Sequence, residues 1–152
     1  ANNHAKIMQV NDLINSFDWL AVKKNEAYAV FTNASTNHPL PWPDKRQEKV
    51  PGQVDAFSRW QVIRDTKEQL EIALFLVSPA HLNTRFTIPP EARADVSLRR
   101  IQHLRVEAGD TVNWSFGSAK GTAKADAEGL ITLPGLTITA TSKRLSIRTG
   151  TQ

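Results

Sequence analysis

Cysteine is absent from the 152 residues, which excludes disulfides, thiol catalysis and thiolate metal ligation. No apolar run approaches the ~18 residues a membrane-spanning helix needs. No signal-peptide pattern opens the chain, and no glycine-rich phosphate loop, HExxH helix or G-x-S-x-G elbow occurs anywhere in it. Charge of one sign is also scarce in runs. The net charge is +4, but apart from Lys23-Lys24, Lys45-Arg46 and Arg99-Arg100 the cations are scattered and no basic stripe interleaves with aromatics. Nucleic acid is therefore not the expected partner. Four histidines, at positions 4, 38, 81 and 103, lie too far apart for local metal spacing, so neither a metal nor another cofactor is expected. Methionine occurs once, at Met8, and the chain starts at Ala1, as expected of a processed or excised segment.

What is present is a change of periodicity. From Ile7 to Ala21 apolar residues recur at Ile7, Val10, Ile14, Phe17 and Ala21, the period of an amphipathic helix, with Asn3 placed to cap it and Asn25 to stop it. After Asn25 the alternation is two-fold. "AYAVFTN" reads as a strand, followed by a proline-rich loop from Ala34 to Gln53 with four prolines. From Val54 onward short strands alternate with turns. They include "VDAFSRWQVI", "QLEIALFLV", "NTRFTI", "ADVSLRRIQHLRV", "TVNWSF", "GTAKADA", "LITL", "LTITATS" and "RLSIRT". This predicts a mainly β chain of eight or nine strands: an immunoglobulin- or fibronectin-like antiparallel β-sandwich with one N-terminal amphipathic helix. The expected divisions are residues 1–25 (helix), 26–53 (strand and proline-rich loop) and 54–152 (sandwich). "DAEGL" and "LPGLT" are expected turns, with Gly129 and Gly135 at positive φ. The phase of "ADVSLRRIQHLRV" changes after Arg99, which predicts a bulge or break, and Ser97–Phe116 is expected to form a hairpin.

Trp60 and Trp114, mid-strand among apolar neighbours, are expected in the core, whereas Trp42, in "PLPWPD", is the candidate substrate-binding aromatic. Arg99 and Arg100 are expected to pair with carboxylates. The acidic residues, Asp65, Glu71, Asp95, Asp110 and Asp126 among them, are expected at turns or on polar strand sides.

The stretch "NNH" before the helix, with "FDWLAVKKNEAYAVFTNAS" at its end, resembles the close of an extracytoplasmic bacterial α/β-hydrolase domain. "GQVDAFSRW", "LRRIQHLRVEAGDTVNWS" and "AEGLITLPGLTI" resemble the β-sandwich that some such enzymes carry at the C-terminus. The proline-rich loop departs from the acidic, glycine-rich loop of that family. The resemblance implies a periplasmic or secreted accessory sandwich that stabilises a hydrolase domain, upstream or on a partner chain, or positions it on a substrate. It also implies that His4 matches a triad histidine, catalytic only if an upstream serine and acid exist. A carbohydrate-binding module using an exposed tryptophan on a polysaccharide is the alternative, and a hydrolase fragment the third reading.

Overall fold

The computed structural model describes residues 22–36, 57–78 and 88–150. The predicted N-terminal helix as far as Ala21, His4, Trp42, most of the proline-rich loop and nearly all of "NTRFTI" lie outside these residues; Val22–Asn25, the expected last turn of that helix, form a bend and turn instead.

Eight strands form among the described residues: β1 (Tyr28–Thr32), β2 (Ser58–Asp65), β3 (Gln69–Leu76), β4 (Glu91–Arg99), β5 (Thr111–Phe116), β6 (Ala119–Lys124), β7 (Thr132–Thr139) and β8 (Lys143–Thr149). They make two antiparallel sheets, a three-stranded one ordered β1-β4-β7 and a five-stranded one ordered β2-β3-β8-β5-β6. Alternation explains the layering. Ile72 and Leu74 of β3, Leu145 and Ile147 of β8, and Val112 and Phe116 of β5 share one cluster with Phe31, Val96, Leu98, Leu133 and Ile138 of the other sheet. Ile72, Leu74, Ile138 and Ile147 are fully buried, so the two inner faces close on each other in a β-sandwich-like architecture. Burial of each such side chain stabilises by about 1.5–3 kcal/mol.

Two expectations about connections are corrected. Ser97–Phe116 is not a hairpin. Its first three residues end β4 in the smaller sheet, and its last six are β5 in the larger one, so the segment crosses between layers. The phase change after Arg99 marks the crossing: Arg100 adopts φ 55°, a left-handed conformation that no strand continues. Its guanidinium donates to the Lys23 carbonyl (2.9 Å) and lies 5.4 Å from the Tyr28 ring centroid, so its partners are a carbonyl and a ring rather than the expected carboxylate. Asp65, at the end of β2, anchors the crossing by accepting the backbone N–H of Gln102 (2.7 Å), His103 (3.1 Å) and Leu104 (3.0 Å).

"LPGLT" is likewise no turn. Leu133–Thr137 runs inside β7, where Pro134 and Gly135 together oppose Asp95 of β4, a bulge that joins the two predicted strands "LITL" and "LTITATS" into one. Gly135 does have positive φ (64°), and its N–H donates to Asp95 Oδ1 at 2.8 Å. Pro134 fits because β7 lies at a sheet edge. "DAEGL" is a turn, with Gly129 at φ 76° and Asp126 Oδ1 accepting from the N–H groups of Glu128 and Leu130.

Candidate functional site

A second bulge builds the site. Strict alternation along β2 would put Arg64 on the inner face with Trp60 and Val62. Register against β3 instead slips between Val62, opposite Ile72, and Arg64, opposite Glu71. Ile63 is the additional residue and is left 45% exposed, while Arg64 moves to the outer face. On β3 the outward positions alternating with Leu70, Ile72 and Leu74 include Gln69 and Glu71, and on β8 those alternating with Leu145 and Ile147 are Arg144, Ser146 and Arg148.

Register aligns these residues in two rows. One runs Arg64, Glu71, Ser146, Ser115, Lys120 across β2-β3-β8-β5-β6, and the next runs Gln69, Arg148, Asn113, Thr122 across β3-β8-β5-β6. Gln69 and Glu71 are the buried centre, at 8% and 7% exposure. Gln69 accepts from Arg148 (3.0 Å) through Oε1, and its amide nitrogen donates to Glu71 Oε1 (2.7 Å) and Ser146 Oγ (2.8 Å). Glu71 is flanked by Arg144 at 3.6 Å and Arg64 at 3.7 Å. Its buried Oε2 has no hydrogen bond and faces the Arg64 guanidinium as an ion pair only. Three arginines are thus held around two buried side chains, yet the side chains of Arg64 and Arg144 stay 58% and 59% exposed. A groove of about 380 Å³ opens at the end of this array, lined by Lys67, Glu68, Gln69, Asn113, Arg148, Thr149 and Gly150.

The second concavity, about 400 Å³, lies where β7 faces β5 and the β5–β6 turn, and Trp114, Phe116, Ser118, Pro134, Thr137 and Lys143 are among its lining residues. Trp114 is half-buried and packs against the core without being enclosed by it. Its indole lies on Gly121, where a Cβ would come within 3.2 Å of the ring. Trp60 is also half-buried, its ring 6.2 Å from Tyr28. Both tryptophans therefore border the core they were expected to fill.

The candidate acids are held by the framework. All four described aspartates accept backbone N–H groups: Asp65 from the crossing, Asp95 from Gly135, Asp110 from Glu107 and Asp126 from its own turn. The Asn33 amide donating at 2.9 Å, the Gly135 N–H and the nearby Arg93 charge together hold the Asp95 carboxyl below the ordinary carboxylate range. His103 is exposed on the crossing, and among the described residues no three His, Cys, Asp or Glu side chains group as metal ligands. No described helix is long and apolar enough to cross a membrane.

Sequence reasoning placed Glu71 on a polar strand side but missed the arginine array. Its outward positions are legible in "QLEIALFLV" and "RLSIRT"; the pairing of β3 with β8 and the Ile63 bulge are not. Comparison with family models, with curated proteins and with solved structures found no match for the chain.

Proposed function

We propose that the chain is a non-catalytic accessory β-sandwich of an extracytoplasmic hydrolase and positions the enzyme on a polymeric substrate through the outer face of the five-stranded sheet. The observation that carries this reading is the division of polar groups. The aspartates that could act in acid–base chemistry accept bonds from turns and connections, while guanidinium, amide and hydroxyl groups gather on one sheet face.

The immunoglobulin- or fibronectin-like class is part of the proposal. In that class strands A, B and E share one sheet and C, F and G the other. The order β1-β4-β7 suits A-B-E, and β5 and β8 suit C and F, with β6 added beside β5. Position G, next to F, is filled by β3, which precedes B in the chain; this is a rewired form of the class.

A second reading is a carbohydrate-binding module for neutral sugars, with Trp114 as the stacking ring. The half-buried indole beside the polar groups Ser118 and Thr137 favours it.

The test is retention of the purified chain on a panel of soluble and insoluble polysaccharides, with turnover of chromogenic ester substrates assayed on the same preparation. Retention without turnover is expected. Turnover by the purified chain itself would overturn the accessory reading.

A further inference from the structure

We propose that the Arg64–Arg144–Arg148 array is a subsite for the carboxylates of a uronate-bearing polysaccharide; this deepens the accessory reading and rests on it. Charge is the first argument. Along the described outer strand positions Arg64, Arg144, Arg148, Lys120 and Lys124 face solvent; the carboxylates beside them are Glu71, which is itself buried, and Glu68, which lines the adjoining groove together with Lys67. A sheet face with this excess attracts a polyanion.

Preorganisation is the second argument. Gln69 and Glu71 fix the guanidinium groups from beneath, by the 3.0 Å bond from Arg148 and the ion pairs at 3.6 and 3.7 Å. Part of the ordering that binding requires is therefore complete before the ligand arrives. The exposed edges of Arg64 and Arg144 retain donors for a planar carboxylate, which a guanidinium fork matches in two parallel bonds.

Extent and chemistry give the third. From β2 to β6 the face spans about 19 Å at the usual strand spacing, room for a polymer segment rather than one sugar. Between the cations stand Ser115, Ser146, Asn113 and Thr122, the hydroxyl and amide groups that meet sugar hydroxyls. Among the outward positions described on this face the aromatic ring is that of Phe75 on β3, half-buried, and a single ring does not make the run of stacking platforms by which single-stranded nucleic acid is held.

The experiment is calorimetric titration of the full chain with sodium polygalacturonate, a neutral soluble glucan, dextran sulfate and mixed-sequence single-stranded DNA, at two salt concentrations. Polygalacturonate is expected to bind, more weakly at the higher salt, and the neutral glucan is not. Arg144→Gln with Arg148→Gln should weaken binding tenfold or more; Lys120→Gln with Lys124→Gln, at the sheet edge, should weaken it less; Lys24→Gln, away from this face, should leave it unchanged. Melting temperatures establish that each variant folds. Glu71→Gln separates a fixed array from diffuse attraction. It makes the face more positive, so diffuse attraction strengthens binding, whereas loss of the fixed arginines weakens it about threefold, the expected result. Binding of the neutral glucan alone would overturn the uronate subsite and leave the accessory reading standing. Binding of no polysaccharide would overturn both. Tighter binding of DNA or dextran sulfate than of polygalacturonate would replace the uronate subsite with a general polyanion surface.

Discussion

Asp65 receives three backbone N–H groups from a connection that leaves one sheet for the other, so one carboxylate fixes where the crossing starts. Removing it leaves those donors to water. Asp65→Ala should destabilise the protein by about 2 kcal/mol, the scale of bonds to a charged acceptor at a partly exposed site, read by urea denaturation. Amide exchange at Gln102–Leu104 should rise in the same variant. At Asp95 the sign of a pH effect follows from its partners. With its native pKa lowered by Asn33, Gly135 and Arg93, the folded chain binds fewer protons there than the unfolded chain. The stability that results is fully present above the unfolded carboxylate value of about 4 and is lost as pH falls through the native value. The melting-temperature gap between wild type and Asp95→Ala should therefore be widest near neutrality and narrow toward pH ~3. A gap that widens in acid would contradict the assigned bonds. Gly121 is the third residue where one atom decides: a methyl there meets the Trp114 ring at 3.2–3.3 Å. Gly121→Ala should shift the tryptophan fluorescence maximum, because the indole must give by a few tenths of an ångström to admit the methyl.

At the scale of elements, alternation was legible and pairing was not. "QLEIALFLV" shows β3 through Leu70, Ile72 and Leu74, and "RLSIRT" shows β8 through Leu145 and Ile147, because inward side chains repeat every two residues along a strand; the burial of Gln69, Glu71 and Ala73 on the other face of β3 was not legible. Leu74→Ala in that shared core should cost about 2–5 kcal/mol, read by the same denaturation. "LPGLT" misleads because Pro-Gly carries the same local signal in a turn and in an edge bulge; Asp95, 40 residues earlier, decides between them. Gly135→Ala should accordingly cost about 1–2 kcal/mol for its left-handed backbone. Arg93 Nη2, 2.9 Å from the added methyl, has to move as well. Ser97–Phe116 misleads for a related reason: two strands joined by a short connection read as a hairpin unless the sheet membership of each is known. The arginine array was hidden by the Ile63 bulge, a single inserted residue that turns Arg64 from the inner face to the outer one. His4 and Trp42 lie outside the described residues, so the site built here rests on neither of them.

Among the described residues, the smaller sheet joins the larger in one apolar core, and the outer side of the larger sheet carries exposed cations around the buried Gln69, Glu71 and Ala73 of β3. The chain's +4 charge is modest, but its distribution is uneven on that side. The proposal separates packing from recognition: the inner faces hold the fold, and the outer five-stranded face is the surface we propose for binding. The most direct measurement is an NMR titration of the isotope-labelled chain with oligogalacturonate, following every backbone amide. The account predicts shifts concentrated at Arg64, Gln69–Glu71, Asn113–Ser115 and Arg144–Arg148, with β1, β4 and β7 silent. Shifts centred instead on Pro134–Thr137 and the Trp114 indole would place recognition in the cleft between the sheets and contradict it.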